Sequence, residues 1–495
     1  MFKDIELTAI DAVMQRSWNA FVQYRTMPLA ARAAFMKNIA LEIEACGDEL
    51  LVTAMQETNL PEARLRSERA RTIFQLNSYA DACLRGEWME IRIDTAVPDK
   101  NPPKPDLRKM MLPLGPVLVF GSSNFPFAYS TAGGDTGSAF AAGCPVIVKA
   151  HPAHAQTSEL VAGAVMRAAA ASGMPDGIFA HVHGAASAVG EALVKHHLTK
   201  AVGFTGSYAG GKQLFDWGNQ RKEPIPVFAE MGSVNPVFLL PAKLTIDAAA
   251  IAKTCAASIT LGVGQFCTNP GIIIGIKGTA MDIFCRALKE EIEKIPSSKM
   301  LHKGIAKNFA VNKEKALSQD GVQVIAESVI KEEGYDAALS ANAVIATVTA
   351  EEFLLNPQLH QEVFGPYSIV VKCSSPEQMQ DIADSMEGQL TSTLMATEED
   401  ITGNAALVDA IRNRCGRFIL NGVPTGVEVC LSMQHGGPFP ATTDSRFTSV
   451  GADGIKRFGR PVAYQNWPDN LLPDELKKDN PLQLWRTIND VPGLH

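Results

Sequence analysis

The sequence predicts an α/β protein with doubly wound, mainly parallel sheets, and three observations carry this prediction. Short apolar runs such as those in GPVLVFGSS and PVIVKAH alternate with helical stretches of small residues. Strands that are apolar throughout are typical of parallel sheets covered by helices on both faces. A chain of 495 residues also exceeds what one hydrophobic core usually accommodates, so we expect more than one domain.

The elements follow in a clear order along the chain. Residues from about 8 to 90 predict helices, because apolar side chains recur there at three- and four-residue spacing. The proline-rich segment DTAVPDKNPPKPDLRKMML then predicts a loop or an edge hairpin that extends from the body. From Gly115 strands and helices alternate, and after Gly232 a second alternating set runs from NPVFLL to RFILNG. A short strand and a polar tail end the chain.

Composition argues against several classes of protein. The net charge of −8 and the lack of a basic run argue against a nucleic-acid partner. The N-terminal MFKDIELTAIDAV is too acidic for a secretory signal, and Gly, Pro, Lys or His interrupts the apolar stretches, so we expect no membrane span. Nine scattered cysteines without a CxxC pair fit free thiols, which indicates a cytoplasmic protein.

Residues directly after the predicted strands are candidates for ligand binding, because ligands of parallel α/β sheets bind beyond the carboxyl ends of the strands. These residues are 122–124, 149–151 and 206–207. A helix beginning near Gly210 and Gly211 could turn its amide groups toward a phosphate, although the usual GxGxxG fingerprint is absent. A tight turn and a surface lysine remain the alternatives for Gly206 and Lys149.

Three further residues carry reactive groups. Cys267 lies in LGVGQFCTNPG, between flexible glycines and a Pro-Gly turn. Glu230 ends a buried strand, where burial would raise the pKa of its carboxyl and suit it to act as a general base. The side-chain amide of Asn124 could donate to a developing oxyanion. A small buried residue, a solvent-facing glutamate and a turn amide are the respective alternatives.

Histidines occur in two close pairs, at residues 181 and 183 and at residues 196 and 197. No third ligand accompanies either pair in the sequence, so we predict no metal site.

The ordered motifs SSNFP, VIVKA, FTGS, EMGS, GQFC and EVFGP resemble those of the aldehyde dehydrogenase superfamily over nearly the whole chain. The resemblance implies a coenzyme domain, a catalytic domain and a β-hairpin oligomerisation arm. We therefore assign residues 1–95 and 115–231 to the first domain and residues 232–458 to the second. Residues 96–114 and 459–470 would form the arm, and residues 471–495 a tail. A homodimer or homotetramer is expected.

The same resemblance implies the chemistry. Cys267 would attack an aldehyde to give a thiohemiacetal and then a thioester, Asn124 would hold the oxyanion, and Glu230 would activate the hydrolytic water. NAD(P) would accept the hydride. The residues expected to bind this coenzyme are Ser122, Lys149, His151, Pro152, Gly206, Ser207, Gly211, Glu362 and Phe364.

One departure from the family pattern and one closer resemblance to a subgroup refine these expectations. Members that prefer NAD often carry a glutamate where this chain has Pro152, so we expect NADP in preference to NAD, with His151 or His154 near the 2′-phosphate. The sequence of residues 120–154 and 424–442 resembles that of a subgroup that includes α-ketoglutaric semialdehyde (2,5-dioxopentanoate) dehydrogenases and a bacterial fatty-aldehyde dehydrogenase. We expect the former substrate, converted to 2-oxoglutarate during breakdown of sugar acids or hydroxyproline.

Succinic semialdehyde, glutaraldehyde and fatty aldehydes are the alternative substrates. Candidate substrate-binding residues are Phe125, Phe266, His435 and Arg446. A cysteine hydrolase would need a histidine partner for Cys267, and no local signature supplies one. An inactive homologue of the same fold is disfavoured by the intact Asn124, Glu230 and Cys267.

Overall fold

The computed structural model describes residues 2–494, and its helices surround several sheets. Four helices precede the first sheet, as the apolar spacing predicts. The helices are α1 Ile10–Tyr24, α2 Leu29–Ala45, α3 Gly47–Thr58, α4 Glu62–Arg85, α5 Gly134–Ala142, α6 Ala155–Ala171, α7 Ser187–Lys195, α8 Tyr208–Asn219, α9 Pro241–Thr260, α10 Thr279–Ile292, α11 Lys303–Leu317, α12 Ala350–Leu355, α13 Pro376–Ser385, α14 Glu398–Gly403 and α15 Ala405–Arg412.

The strands fall into two large sheets, an arm sheet and a two-stranded ladder. They are β1 Arg92–Asp94, β2 Leu107–Pro113, β3 Val117–Phe120, β4 Val146–Lys149, β5 Phe179–Val182, β6 Ala201–Thr205, β7 Val227–Glu230, β8 Val237–Leu239, β9 Ile272–Ile276, β10 Ser298–Lys299, β11 Gln323–Glu327, β12 Ser340–Ala341, β13 Val344–Thr349, β14 Tyr367–Cys373, β15 Gln389–Met395, β16 Cys415–Leu420, β17 Gly459–Gln465, β18 Arg486–Ile488 and β19 Val491–Gly493.

The first large sheet is parallel throughout, with the strand order β5-β4-β3-β6-β7. Alternate residues of β3 face opposite sides of this sheet. Val117 and Val119 pack with α2, α4, α5 and α6, whereas Leu118 and Phe120 pack with α1, α7 and α8. This doubly wound arrangement confirms the predicted fold class. The chain crosses from one face to the other between β3 and β6, and such a switch point opens a crevice for ligands.

The second large sheet has the order β11-β13-β14-β9-β8-β15-β16, and only β11 runs antiparallel to its neighbour. Strand β15 has no counterpart among the strands predicted from sequence. Its residues QLTSTLM are all buried, although Thr and Ser make the segment look polar. The fold hides these hydroxyl groups in the interior, and a hydropathy pattern does not indicate this.

The arm sheet has the order β17-β2-β1-β18-β19. Strand β2 pairs with β17 along its whole length, from Leu107 opposite Gln465 to Pro113 opposite Gly459. The segment 471–495, expected as a tail, supplies the short strands β18 and β19 to this sheet. The domain boundaries themselves stay a prediction.

One segment differs from the expectation that no apolar stretch is long enough to cross a membrane. Pro241–Gly264, which contains α9, passes that test by length and composition. Its buried residues, among them Leu244, Ile251 and Ile259, pack against Val237 and Ile273 of the second large sheet. This packing is typical of a core helix in a globular fold.

Candidate active site

A cleft of about 250 Å³ opens where β3 and β6 end, at the switch point of the first large sheet. Its walls also come from the segment around Cys267, from α11 and from the loop before β14. The predicted site residues that line it are Ser122, Asn124, Phe125, Gly206, Ser207, Cys267, Glu362 and Phe364. Segments distant in sequence therefore converge on one cleft that contains both the nucleophile candidate and the expected coenzyme residues.

The turn before Cys267 has an unusual backbone. Gly262, Val263 and Gly264 have φ values of +54°, +59° and +64°, in the left-handed region. A Cβ on Gly264 would lie 2.3 Å from the carbonyl carbon of Gly365, so only glycine fits there. Val263 is β-branched, and such a residue at positive φ costs about 1–3 kcal/mol. Strained, closely packed backbone, rather than the flexibility expected from the glycines, shapes this turn.

A network of buried amides fixes the backbone that carries Cys267. The side-chain nitrogen of Asn235 donates to the Cys267 carbonyl at 2.8 Å and to the Asn269 carbonyl at 3.0 Å. Thr391 of β15 in turn donates to Asn235 Oδ1 at 3.0 Å. The strand that sequence patterns miss thus helps to hold the candidate nucleophile.

Glu230 and His435 lie directly beside the Cys267 thiol. His435 Nε2 is 3.7 Å from Cys267 Sγ and 3.1 Å from Glu230 Oε1. The Ser449 hydroxyl donates to Glu230 Oε2 at 2.7 Å. His435, expected in the substrate pocket, therefore joins the thiol to the carboxylate, and Ser449 is a partner that the sequence analysis missed.

These contacts set the protonation of the pair. Burial by itself would raise the pKa of Glu230, but His435 and hydrogen bonds from His435, Ser449 and Cys267 hold that pKa below its ordinary value. The expectation of a raised pKa at Glu230 is therefore wrong, because burial was considered without its partners. Burial and the Glu230 charge raise the pKa of Cys267 well above that of a free thiol. The ground state consequently pairs a thiol with a carboxylate.

Asn124 is buried with its side-chain amide next to the same segment. Asn124 Nδ2 donates to the Gln265 carbonyl at 3.1 Å, which orients the amide. A primary amide has two N–H groups, so the second remains available to a ligand. This geometry suits an oxyanion hole.

The cleft has several features that fit a dinucleotide. The Ser122 hydroxyl is buried and has no hydrogen-bond partner among residues 2–494. Ser207 caps α8, accepting from the Gly210 amide at 3.3 Å, so the N-terminus of this helix faces the end of β6. Gly211 is different, since a Cβ there would meet Met231 Cγ at 2.5 Å and Gly211 does not line the cleft. Its small size serves the packing of α8 against β7.

Lys149, His151 and Pro152 lie at the end of β4 and in the turn after it, and they do not line the cleft itself. Burial lowers the pKa of Lys149 and holds the pKa of His151 well below its ordinary value. The buried His154 ring contacts the Ser122 carbonyl at 2.8 Å, and burial lowers its pKa as well. Neutral imidazoles bring no positive charge, so attraction for a 2′-phosphate would come from Lys149.

Glu362 lines the cleft beside Gly232, where a Cβ would lie 2.7 Å from Glu362 Oε2. Burial raises the pKa of Glu362 to about 8, opposed only in part by the Ser233 amide. A protonated carboxyl at neutral pH both donates and accepts hydrogen bonds, which suits a ribose hydroxyl.

The structure places some of the predicted substrate residues beside the cleft and one away from it. Phe125 and Phe266 lie near each other, with ring centroids 5.6 Å apart, beside Cys267. Arg446 is largely exposed and forms an ion pair with Asp444 at 2.5 Å, so the fold does not bring it to the cleft. Its candidacy rested on sequence proximity to His435, and the loop between them turns its side chain outward.

Several residues near the nucleophile escaped the sequence analysis. Tyr129 lines the cleft, and Arg64 and Arg71 approach the aromatic residues from α4. Arg64 and Arg71 are seven residues apart on a predicted helix, so the sequence places them on one face of it. Nothing in the sequence indicates that this face meets the loop that contains Phe125 and Tyr129.

Within residues 2–494, two groups of side chains have the spacing of metal ligands. One is Glu230, Cys267 and His435, already described. In the other, Glu159 Oε1 is 3.2 Å from His181 Nδ1 and 2.5 Å from His183 Nε2. The sequence shows no third ligand for this histidine pair, but α6 supplies one. The expectation of no metal stays a prediction.

Comparison with known proteins agrees with this geometry. A model of the aldehyde dehydrogenase family matches residues 2–439. Alpha-ketoglutaric semialdehyde dehydrogenase 2 of Azospirillum brasilense is 46% identical over 478 residues, which cover 96% of the chain and 90% of that protein. Alpha-ketoglutaric semialdehyde dehydrogenase of Acinetobacter baylyi is 44% identical over 495 residues, covering 99% and 93%.

A solved structure of similar fold is 1-pyrroline-5-carboxylate dehydrogenase from Thermus with bound NAD. It matches with a TM-score of 0.78 at 19% identity and covers 94% of the chain and 86% of its own length. At this identity the likeness concerns the fold alone.

Proposed function

The chain belongs to the aldehyde dehydrogenase family, and on that premise we propose that it oxidises α-ketoglutaric semialdehyde to 2-oxoglutarate, with NADP in preference to NAD. The oxidation of an aldehyde to a carboxylate with NAD(P) follows from the family. The named substrate is supported by the two relatives at 44–46% identity. The observation that carries the mechanism is the convergence of Asn124, Glu230, Cys267 and His435 beside one cleft.

The first step is attack of Cys267 Sγ on the aldehyde carbon. The thiol must lose its proton, and Glu230, kept ionised by its partners, is the acceptor. The thiol hydrogen-bonds directly to Glu230, so the proton passes to that carboxylate, and His435, in contact with both groups, holds the carboxylate in place. The carbonyl oxygen becomes an oxyanion, which the free N–H of Asn124 and the Cys267 backbone amide stabilise.

Bound NAD(P) supplies the hydride acceptor at this site. The residues that would hold it are Ser122, Gly206, Ser207, Glu362 and Phe364 in the cleft, with Lys149 at the end of β4. The organic intermediate that follows is a thioester on Cys267.

Hydrolysis of the thioester needs a base close to the thioester carbon that water attacks. Glu230 first releases the thiol proton to solvent and then accepts a proton from water as the oxygen of that water attacks the thioester carbon. The carbon–sulfur bond breaks, which releases the carboxylate product and the Cys267 thiolate, and the thiolate takes up a proton. Ser449 and His435 orient the Glu230 carboxyl for this second task. One carboxylate therefore serves both halves of the reaction.

The preference for NADP rests on charge. No carboxylate stands at Pro152 to repel a 2′-phosphate, and the neighbouring Lys149 provides a positive group. His151 and His154 do not add to this attraction, since burial keeps both rings neutral at pH 7. We further propose that the protein is a homodimer or homotetramer in the cytoplasm.

One assay tests it. Purified protein is mixed with 2,5-dioxopentanoate, succinic semialdehyde, glutaraldehyde or a long-chain aldehyde, and formation of reduced coenzyme is followed with NADP and with NAD. We expect the highest kcat/KM for 2,5-dioxopentanoate with NADP, and none with Cys267→Ala. A higher kcat/KM for any other aldehyde would overturn the substrate, and turnover by Cys267→Ala would overturn the mechanism.

A thioesterase-like reaction is the second candidate, because His435 gives Cys267 the histidine partner that a cysteine hydrolase needs. The same preparation tests this with an activated ester in the absence of coenzyme. Ester hydrolysis faster than aldehyde oxidation would favour the hydrolase.

A further inference from the structure

One face of α4 brings cationic side chains to the aromatic residues beside Cys267. Arg64, Glu68 and Arg71 are spaced four and three residues apart, so they share one face of the helix. The Arg64 guanidinium carbon lies 4.5 Å from the ring centroid of Phe125 and 4.7 Å from that of Phe266, the residue before Cys267. The Arg64 guanidinium therefore packs on the aromatic residue next to the nucleophile in the chain.

Arg71 approaches the same aromatic group from one helical turn further on. Its Nη2 is 3.4 Å from the Tyr129 hydroxyl and 3.4 Å from the Val427 carbonyl, which are long contacts. Its Nη1 is buried and has no hydrogen-bond acceptor in the described part of the chain. Tyr129 itself lines the cleft with Cys267. Arg71 is half-buried, and a buried N–H without an acceptor is costly unless a ligand accepts from it.

The local charge is unbalanced. Glu68 Oε1 accepts from the Phe127 and Ala128 amides, and its Oε2 is 3.5 Å from Arg64. Within residues 2–494 no other carboxylate lies within 4 Å of either guanidinium. Glu68 is thus the one carboxylate for the two cations Arg64 and Arg71, and its Oε1 accepts from backbone amides.

We propose that Arg64 and Arg71 form a subsite that binds the carboxylate at the far end of the aldehyde substrate, and that this subsite selects aldehydes bearing a carboxylate over uncharged ones. The inference rests on the proposed function, since it concerns the same active site. Guanidinium groups bind carboxylates through paired, charge-assisted hydrogen bonds. The rings of Phe125 and Phe266 would pack against the carbon chain between the two ends.

Arg446, the cation suggested by the sequence, does not compete for this role, because it is exposed and paired with Asp444. Arg417 is nearer, but both of its Nη groups donate to backbone carbonyls, those of Gly426 and Pro424, so only its buried Nε lacks an acceptor within residues 2–494. Those bonds hold the loop that Arg71 also contacts at Val427. Arg417 is accordingly a residue that positions the loop rather than the anchor. Arg64, in contrast, donates to one backbone carbonyl, that of Asn124, at 3.2 Å.

The test compares two five-carbon aldehydes: 2,5-dioxopentanoate, whose far end carries a carboxylate and a neighbouring 2-oxo group, and pentanal, whose far end is a plain alkyl chain. In Arg64→Met and Arg71→Met we expect kcat/KM for 2,5-dioxopentanoate to fall about 10- to 100-fold, mainly through KM, because hydrogen bonds to charged groups are worth that much. The loss for pentanal should be much smaller. Arg71→Lys, which keeps the charge but not the fork, should recover part of the activity.

Arg66→Met is the matched control, because Arg66 lies on the same helix but is half-exposed and pairs with Glu62 and Asp48. It should leave the ratio of the two kcat/KM values as in the wild type. Inhibition by 2-oxoglutarate gives a second readout, and its inhibition constant should rise at least about tenfold in Arg64→Met and in Arg71→Met.

The outcomes separate the two proposals. Wild-type protein that oxidises neither aldehyde would contradict the proposed function. Wild-type protein that oxidises both, together with variants that lose activity on both equally, would overturn the carboxylate subsite and leave α4 a packing role. An unchanged inhibition constant for 2-oxoglutarate in the variants would overturn the subsite as well, even if one variant folds poorly.

Discussion

Glu230 is a buried carboxyl group at the end of β7 and Glu362 is a half-buried one in the loop before β14, both beside the same cleft, yet their pKa values move in opposite directions. Partners outweigh burial at Glu230 and lower its pKa, because His435 and Ser449 both contact the carboxylate. Glu362 has only the Ser233 amide against its burial, so its pKa rises to about 8. Burial alone therefore does not decide the charge of a buried acid; the groups that contact it do.

The largest expected effect separates the roles of these two acids. Glu230→Gln should lower kcat about 10²- to 10⁴-fold, since a general base is lost. Glu362→Gln should keep most of kcat and raise KM for the coenzyme, because an amide still hydrogen-bonds but is not the base. Steady-state rates at varied coenzyme and aldehyde measure both. Equal losses of kcat in the two variants would contradict the distinction.

A smaller effect tests what keeps Glu230 ionised. His435→Asn removes the imidazole that lowers the pKa of Glu230, so that pKa should rise. Activity that depends on the ionised carboxylate would then appear at higher pH, and we expect the acidic limb of the kcat profile to move up by about one unit. Ser449→Ala should move it in the same direction by less. An acidic limb that stays in place in both variants would show that partners do not set the charge.

The reactivity of the Cys267 thiol depends on the charge of the carboxyl groups beside it. The Glu230 carboxylate raises the pKa of Cys267, and Glu362 adds to this effect to a lesser degree. Glu230→Gln should therefore speed alkylation of Cys267 by iodoacetamide at neutral pH several-fold, and Glu362→Gln less. The rate is followed by mass spectrometry of the Cys267 peptide, with exposed Cys430 as the internal reference. Slower alkylation in Glu230→Gln would contradict the electrostatic account.

The last effect concerns stability. The folded state keeps the Glu362 proton up to about pH 8, whereas the unfolded chain releases it near its ordinary value of 4.5. The contribution of Glu362 to the free energy of unfolding therefore falls as pH rises between these values, by about 5 kcal/mol in total at roughly 1.4 kcal/mol per unit of pKa shift. Glu362→Gln should remove this decline, seen as a flatter dependence of the urea midpoint on pH. A wild-type midpoint that rises with pH more steeply than the variant's would contradict the raised pKa.

Much of the fold follows from local patterns. The apolar runs of β3 and β4, the helical spacing of residues 8–90 and the alternation after Gly232 each indicate their element correctly, because burial on both faces of a parallel sheet selects apolar side chains. Strand β15 is an exception to this rule, since it buries Thr391, Ser392 and Thr393, and of these hydroxyl groups that of Thr391 donates to Asn235.

By itself, the sequence determined the fold class and, through six ordered motifs, the family and the identity of Asn124, Glu230 and Cys267 as the candidate catalytic groups. Only the tertiary structure decided which residues surround them. His435 reaches Cys267 across 168 positions, Ser449 reaches Glu230 across 219, and α4 turns Arg64 and Arg71 toward the aromatic residues of the cleft. Protonation and substrate selection depend on such long-range contacts, because electric fields act through space and a linear motif records only neighbours along the chain.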